Sequence, residues 1–299
     1  MPSPEHESLV AALLASDSGP PPTDVHAMRA AMASLAGAFA STPTPADVKI
    51  DPVDADGVPA FWFVPPDARD DRAILYLHGG GYVMGSVSTH RSLIARLARA
   101  TGWRCLALDY RLAPEHPFPA AIDDVMAAHR WLQRRGIPPA RIVFAGDSAG
   151  GGLVLGSLVA LRDAGEALPA AAIALSPLAD LELTGDSVAR VTDDPLVPVD
   201  GTRLMAAAYL GAGADPRDPR ASPIHADYRG LPPLLLEVGT REVLLDDARR
   251  VADRARAAGI PVELFVGEGL THVWPLHPQL PEAAESIERM ARFVARHVG

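Results

Sequence analysis

A serine flanked by glycines is the first group in this chain that could do chemistry. Residues 146–150 read Gly-Asp-Ser-Ala-Gly, after an apolar, β-branched run at 141–145 and before a helix-like run of small residues. This is the G-x-S-x-G pattern in its strand–turn–helix context, which exposes a serine hydroxyl at the end of a strand. Glycines are needed on either side because a Cβ there would clash with the neighbouring strand and helix. The pattern predicts that Ser148 is a nucleophile, although an ordinary glycine-rich turn can have the same letters.

A second glycine motif lies about seventy residues upstream, where His78 and three glycines follow the buried-strand pattern at 73–77. Glycines let backbone N–H groups come close to a substrate, and fixed N–H donors stabilise the oxyanion that forms in acyl transfer. The motif predicts an oxyanion hole made by Gly80 or Gly81 and by Ala149. A plain flexible loop is the alternative, but the position directly after a strand favours the oxyanion hole.

A general base should follow the last strand, since the chain order for this serine motif is serine, acid, histidine. Residues 262–266 are typical of a last strand, and the glycine-containing loop after them ends at His272. The sequence therefore predicts His272 as the base. His277 is the reserve, because nearby prolines place it on the far side of the loop. The other histidines have structural interpretations, as support for the glycine loop or as residues on helix faces and loops: His78, His90, His116, His129 and His225.

Three carboxylates compete for the role of triad acid in the loop after the predicted strand at 233–238. Asp246 and Asp247 stand where a helix begins, so helix capping and the helix dipole explain them. Glu242 lies nearer the strand end, where the orienting carboxylate belongs. The sequence favours Glu242.

These motifs resemble those of the hormone-sensitive-lipase-like family of bacterial esterases, within the α/β-hydrolases. The matching stretches run in order from about residue 45 to the C-terminus, with weaker matches at 222–223 and 231–234; the strongest are 78–82, 109–120, 146–151 and 269–272. The resemblance implies Ser148 as nucleophile and His272 as base. The family usually carries Asp where this chain has Glu242. The resemblance implies oxyanion donors from Gly80, Gly81 and Ala149. It also implies a buried Arg111–Glu115 pair that supports the core loop, while Asp147 is expected to make a structural hydrogen bond.

Composition excludes several classes of protein. A chain of 299 residues, 48% of them hydrophobic, can bury a large core. A net charge of −10 without any basic block argues against a nucleic-acid partner. The single cysteine, Cys105, lies in an apolar strand pattern, which excludes an intramolecular disulfide and predicts an inert thiol. The start of the chain lacks signal-peptide features and no apolar stretch approaches a membrane span, so the sequence predicts a cytoplasmic protein with no membrane partner.

Strand and helix patterns alternate along most of the chain. The predicted strands are 48–52, 59–64, 73–77, 103–108, 141–145, 170–175, 233–238 and 262–266. The predicted helices are 88–100, 120–135, 149–164, 246–258 and 281–297. The alternation predicts an α/β fold: a mostly parallel eight-stranded sheet with helices on both faces and ligands at the carboxyl ends of the strands. The family resemblance implies that this is the α/β-hydrolase fold.

Two segments break this alternation and predict a helical cap. Residues 1–45 hold a helical segment around 24–40, and residues 180–226 form a long insertion rich in Pro and Asp, with a helical piece at 203–210. The predicted organisation is a core of 46–179 and 227–299, capped by 1–45 and 180–226. Candidates to line the substrate pocket are Met28, Met32, Leu35, Phe39, Tyr82, Met205 and Tyr209. The alternative for each is that it packs the cap onto the core.

Together these features predict a serine carboxylesterase for short- to medium-chain esters, with no cofactor and no metal. A lactone hydrolase or an amidase could use the same groups. A non-catalytic binding protein would typically lack the histidine, and a lipase would favour a more apolar lid than this polar insertion. The predicted partner is a small-molecule ester, and an edge strand or the C-terminal helix could support a homodimer.

Overall fold

The strands expected from the buried apolar runs are present in a computed structural model, which describes residues 1–15, 24–30 and 42–298. They are β1 Lys49–Asp54, β2 Pro59–Val64, β3 Ala73–Leu77, β4 Arg104–Leu108, β5 Ile142–Asp147, β6 Ala171–Leu175, β7 Leu234–Gly239 and β8 Val262–Gly267. They form one sheet in the order β1-β2-β4-β3-β5-β6-β7-β8. β1 and β2 pair antiparallel with their neighbours, and every pair from β4 to β8 is parallel.

Helices cover both faces of this sheet. They are α1 Pro4–Ala15, α2 Val87–Thr101, α3 Ala120–Arg134, α4 Ala149–Asp163, α5 Asp186–Arg190, α6 Val199–Leu210, α7 Leu245–Ala257 and α8 Pro281–His297. Short 3-10 turns lie at Pro139–Arg141, Pro223–His225 and Trp274–Leu276, and residues 25–30 are helical. One buried cluster joins α2 and α8 to one face of the sheet, and a larger cluster joins α3, α4 and α7 to the other.

The parallel strands place all the predicted catalytic groups at the carboxyl ends of the strands. Because β3 lies beside β5 with Leu77 opposite Gly146, the glycine loop after β3 is next to the serine turn after β5. β7 and β8 end side by side, so the loops that carry Glu242 and His272 leave the sheet together.

Most element bounds agree with the predicted ones. β2, β3 and α8 have the predicted bounds. The other strands and core helices differ by one or two residues at one or both ends, and α6 begins four residues earlier than expected. The sequence does not predict α1, because its apolar residues form no continuous stripe. Contacts from distant parts of the chain stabilise it: Ser3 N–H donates to Glu282 Oε1 (2.5 Å), and the buried His6 bonds Thr271.

Two further predictions concern a membrane and a second copy of the chain as partners. No helix in the described part of the chain is long and apolar enough to cross a membrane. β1 and β8 are the edges of the sheet. A homodimer through an edge strand or the C-terminal helix stays a prediction.

Candidate active site

Ser148 lies on a strained turn between β5 and α4. Its backbone has φ 53° and ψ −122°, a conformation that costs energy for any residue with a Cβ. The turn is held by hydrogen bonds at 2.8 Å from Ser148 N–H to Leu175 O and at 3.0 Å from Leu178 N–H to Ser148 O. A Cβ added at Gly146 would overlap Gly150 O, and one added at Gly150 would overlap Leu77 O. The two glycines are therefore required for this turn, as the sequence predicts.

The glycine loop packs directly on the serine turn. A Cβ on Gly79 would overlap the Asp147 carboxylate and would lie 3.1 Å from Ser148 Cβ. Gly80 has φ 123° and Gly81 has φ 61°, which only glycine adopts at little cost. Ala149 is the first residue of α4, so its N–H has no acceptor within the helix. The loop that carries Gly80 and Gly81 thus lies against the turn that carries Ser148 and Ala149. The role of these three N–H groups as oxyanion donors stays a prediction.

Glu242 and His272 form a buried hydrogen-bonded pair. His272 Nδ1 lies 2.8 Å from Glu242 Oε2, and the side chains are 11% and 0% exposed. The other carboxylate oxygen, Glu242 Oε1, accepts hydrogen bonds from Ser176 Oγ (2.8 Å) and Gly239 N–H (2.5 Å). The carboxylate is thus fixed on one side by donors and presents its free side to the imidazole.

The competing carboxylates of this loop point elsewhere. Asp246 Oδ2 accepts from Ser187 N–H (2.7 Å), and Asp247 Oδ2 accepts from Ala179 N–H (2.8 Å) and Asp180 N–H (2.9 Å). The expectation that they cap α7 is wrong, since no side chain caps that helix, but both lie in its first turn, where the helix dipole favours acids as predicted. They instead hold the start of the insertion against the core.

The charge on Glu242 controls the proton affinity of His272. Burial disfavours the imidazolium and by itself would lower the pKa of His272. The hydrogen bond to Glu242 and the charge of Glu242 outweigh burial, with smaller contributions from Asp194 and Asp147, so the net pKa is above its usual value. His277, the reserve candidate, differs: burial, with His6 and Arg96 adding to it, lowers its pKa to about 4.

A second Asp–His pair lies beneath the glycine loop, and sequence reasoning missed its histidine. Asp147 accepts from Tyr76 Oη at Oδ1 (2.7 Å), and its Oδ2 lies 3.1 Å from His90 Nε2. Burial opposes the charge on Asp147, but His90 and Tyr76 outweigh it, and the pKa of Asp147 is below its usual value. The structural role predicted for Asp147 is confirmed. His90 gives no local signal, because it is an ordinary helix residue until the fold places it beside Asp147.

His78 supports the glycine loop as predicted. Its Nδ1 lies 2.8 Å from Gly79 O, and its ring stacks on Tyr110 at 4.3 Å between centroids. Burial, aided by the nearby His90, lowers the pKa of His78 to about 4. A neutral ring with the proton on Nδ1 donates to Gly79 O and fixes the turn of the loop.

The pocket candidates have different surroundings. Met205 lies on the glycine loop, since a Cβ on Gly81 would overlap its sulfur. Tyr82 and Tyr209 are both 1% exposed and stack on each other at 3.8 Å between ring centroids. Met28 is buried, and its Cε would lie 3.4 Å from a Cβ on Gly201 of α6. Met32, Leu35 and Phe39 lie outside the described residues. Substrate contact by any of these residues stays a prediction.

One cluster in the described part of the chain could offer metal ligands: Asp180, Glu182 and His225. Arg250 Nη1 lies 2.9 Å from Asp180 Oδ2, and Arg217 Nε lies 3.6 Å from Glu182 Oε2. These guanidinium groups already balance the carboxylate charges, so we assign no metal to the cluster.

Comparison with known proteins agrees with this geometry. A family model described as alpha/beta hydrolase fold matches residues 74–276. A crystal structure of an esterase from the bacterial hormone-sensitive lipase family is 46% identical, with a TM-score of 0.93 over 100% of both chains. The chain belongs to the bacterial hormone-sensitive-lipase family of α/β-hydrolases. The family resemblance and the fold predicted from the motifs are confirmed.

Curated relatives of this hormone-sensitive-lipase family member are of similar length. An acetyl-hydrolase of Streptomyces hygroscopicus is 49% identical over 242 residues, which cover 80% of each protein. An esterase of Acinetobacter venetianus is 34% identical over 270 residues, 90% of this chain and 88% of that protein.

The family motif at 109–120 has a different ion-pair arrangement from the one predicted. Arg111 Nε donates to Asp124 Oδ1 (2.8 Å), and Glu115 accepts from Arg29 Nη1 (2.6 Å). The predicted buried Arg111–Glu115 pair is wrong, since both side chains are half exposed and each has another partner. Arg29 also donates to the carbonyls of Val83 and Ala113, so it ties the N-terminal segment to the glycine loop.

Proposed function

We propose that this member of the hormone-sensitive-lipase family is a serine carboxylesterase whose triad is Ser148, His272 and Glu242. The observation that carries the proposal is the buried Glu242–His272 pair, which lies at the carboxyl ends of the strands, where Ser148 occupies a strained turn. A serine, a histidine and a carboxylate at the same end of the sheet suit acyl transfer through a covalent acyl-enzyme.

The proposed reaction begins with proton transfer from Ser148 Oγ to His272 Nε2 as the oxygen attacks the ester carbonyl carbon. Glu242 accepts a hydrogen bond from Nδ1–H, which leaves Nε2 free to take the proton and stabilises the imidazolium that forms. His272 then gives the proton to the leaving alcohol. Water attacks the acyl-enzyme by the same route and restores Ser148.

The carbonyl oxygen becomes negatively charged in each tetrahedral intermediate. Backbone N–H groups of Gly80, Gly81 and Ala149 are the proposed donors, and rigid donors of this kind need no reorganisation during the reaction. The packing of Gly79 on the serine turn supports this, because it fixes the distance between loop and nucleophile.

The test of the proposed function is initial-rate hydrolysis of p-nitrophenyl esters from acetate to palmitate. We expect a rate that is lost in the Ser148→Ala protein and that peaks at short to medium acyl chains. A peak at palmitate would contradict the chain-length proposal. The absence of any Ser148-dependent rate on esters would contradict the esterase proposal.

Met205 should limit the size of the substrate group beside the glycine loop, because its sulfur packs on Gly81. If Met205 limits the acyl group, we expect the ratio of kcat/KM for the octanoate ester to that for the acetate ester to rise about tenfold in Met205→Ala. If it limits the alcohol group, we expect the same rise for acetate esters of longer alcohols. Met126→Ala is the matched control, since Met126 is also a partly buried methionine at the edge of the same core cluster. Unchanged ratios in both substrate series would rule out a role for Met205 in specificity.

The pH dependence of kcat/KM should reflect the raised pKa of His272. A general base must be neutral, so activity should fall as the pH drops through that pKa. We expect the midpoint of the acid limb above the ordinary imidazole value of about 6.5. A midpoint at or below that value, measured with p-nitrophenyl acetate, would argue against His272 as the base.

A further inference from the structure

Ser176 is a buried residue that contacts both the acid loop and the base loop of the proposed site. It directly follows β6, the strand between β5, which carries the nucleophile, and β7, which carries the acid. Its side chain is 1% exposed. The Ser176 hydroxyl donates to Glu242 Oε1 at 2.8 Å and accepts from Val273 N–H at 3.2 Å.

The two partners of this hydroxyl belong to different loops, 66 and 97 residues away along the chain. Glu242 is the carboxylate that holds the imidazole, and Val273 is the residue directly after His272. One oxygen atom thus sets the position of the carboxylate and of the backbone next to the base. Alanine at 176 would leave Val273 N–H buried without this acceptor and Glu242 Oε1 with one donor fewer, and such losses are costly in a buried site.

The backbone at Ser176 supports a specific role for this side chain. Ser176 has φ 45°, in the left-handed region where glycine is favoured, and Val273 also has φ 45°. The conformation of Ser176 is held by a 2.6 Å hydrogen bond from its N–H to Glu237 O. A residue with a Cβ is strained here, and such strain is found where the surroundings fix a residue for function.

We infer that Ser176 is a positioning residue that holds Glu242 and the His272 loop in register for proton transfer. The inference rests on the proposed triad. Ser176 touches neither substrate nor reacting atoms, and it acts only through Glu242 and the backbone after His272.

The first test compares Ser176→Ala with Ser176→Gly and Ser157→Ala. Glycine removes the hydroxyl and also relieves the left-handed strain, so it guards against a variant that fails only because it is unstable. Ser157 is the matched control, because its buried hydroxyl has no hydrogen-bond partner among the residues that the structure describes. We expect kcat to fall by about 10- to 100-fold in both Ser176 variants, with KM changed less than about twofold, and no loss in Ser157→Ala.

The pH profile separates positioning from a merely structural role. Without the Ser176 donor, the charge of Glu242 is less well satisfied and attracts the His272 proton more strongly. We expect the acid limb of kcat/KM to move to higher pH in both Ser176 variants. The other charged groups that act on His272, Asp194 and Asp147, are unchanged, so they do not contribute to the shift.

A spectroscopic readout makes the inference independent of ester turnover. The proton between His272 Nδ1 and Glu242 Oε2 should give a downfield ¹H NMR signal that is absent in Glu242→Gln. We expect this signal to shift or broaden in Ser176→Ala and Ser176→Gly and to stay unchanged in Ser157→Ala. If the signal responds but no ester is hydrolysed by the wild-type protein, the proposed function fails and the positioning role stands. If neither the signal nor the acid limb moves in the Ser176 variants, the inference is wrong, whatever happens to kcat.

Discussion

Replacing Ser148 with alanine should lower kcat for p-nitrophenyl acetate by about 10⁶-fold, the scale of loss seen when the nucleophile of a triad is removed. Alanine keeps the Cβ and the backbone of the strained turn, and the turn itself is held by main-chain hydrogen bonds to Leu175 and Leu178. The folded structure should therefore remain, and only the attacking oxygen is lost. Thermal unfolding by circular dichroism checks the fold, and stopped-flow and long-time assays together cover the range of rates.

Ser157→Ala is also the control for this experiment. It makes the same chemical change in the helix that begins after Ser148, at a buried position away from the turn. We expect its kcat to equal that of the wild-type protein. A Ser148→Ala variant that kept more than about a hundredth of the wild-type kcat would show that another group is the nucleophile.

Replacing Glu242 with glutamine should lower kcat by about 10⁴-fold. The size of the effect follows from the donors around the side chain. Gly239 N–H is a fixed donor to Oε1, so the amide oxygen of glutamine must occupy that side. The amide NH₂ then faces His272 Nδ1 and donates to it. This selects the imidazole tautomer with its proton on Nε2, which cannot accept a proton from Ser148.

Asp246→Asn and Asp247→Asn are the comparisons that test the choice of acid. Both replace an acid side chain with an amide in the first turn of α7, and both side chains accept backbone N–H groups, which an amide oxygen can also do. We expect Asp246→Asn to retain nearly full kcat. If either Asp variant loses more activity than Glu242→Gln, the assignment of Glu242 is wrong. A Glu242→Gln protein with wild-type kcat would contradict it equally.

Much of the fold could be predicted because its core strands are buried on both faces. Such strands appear as unbroken apolar runs, as in β3 and β6, where every residue is buried. The bounds of α8 follow from a proline at its start and a regular apolar stripe. α1 also begins at a proline, Pro4, but it lacks the apolar stripe. Its position depends on Ser3 and His6 reaching residues more than two hundred positions away. A sequence pattern of helical period relates only residues a few positions apart, so it cannot predict such contacts.

The candidate site could be predicted where one residue type at a strand end has one chemical use. Ser148 and His272 are of this kind. The sequence favours Glu242 over Asp246 and Asp247 because it lies nearer the end of β7. Ser176 and His90 could not be found in this way. Each is a single polar residue in an ordinary context, and its importance arises only when the strand order β3-β5-β6-β7-β8 brings distant loops together.

The one thiol of the chain provides a built-in probe of how the sheet opens. Cys105 lies in β4, between β2 and β3, and is 0% exposed, and burial raises the pKa of its thiol. A thiol reagent can reach it only when the strands around it separate. The rate of labelling under native conditions, as a function of reagent concentration and denaturant, therefore measures the free energy and the rate of that opening. Because no second cysteine competes, the measurement needs no mutation and can be made on each variant described above.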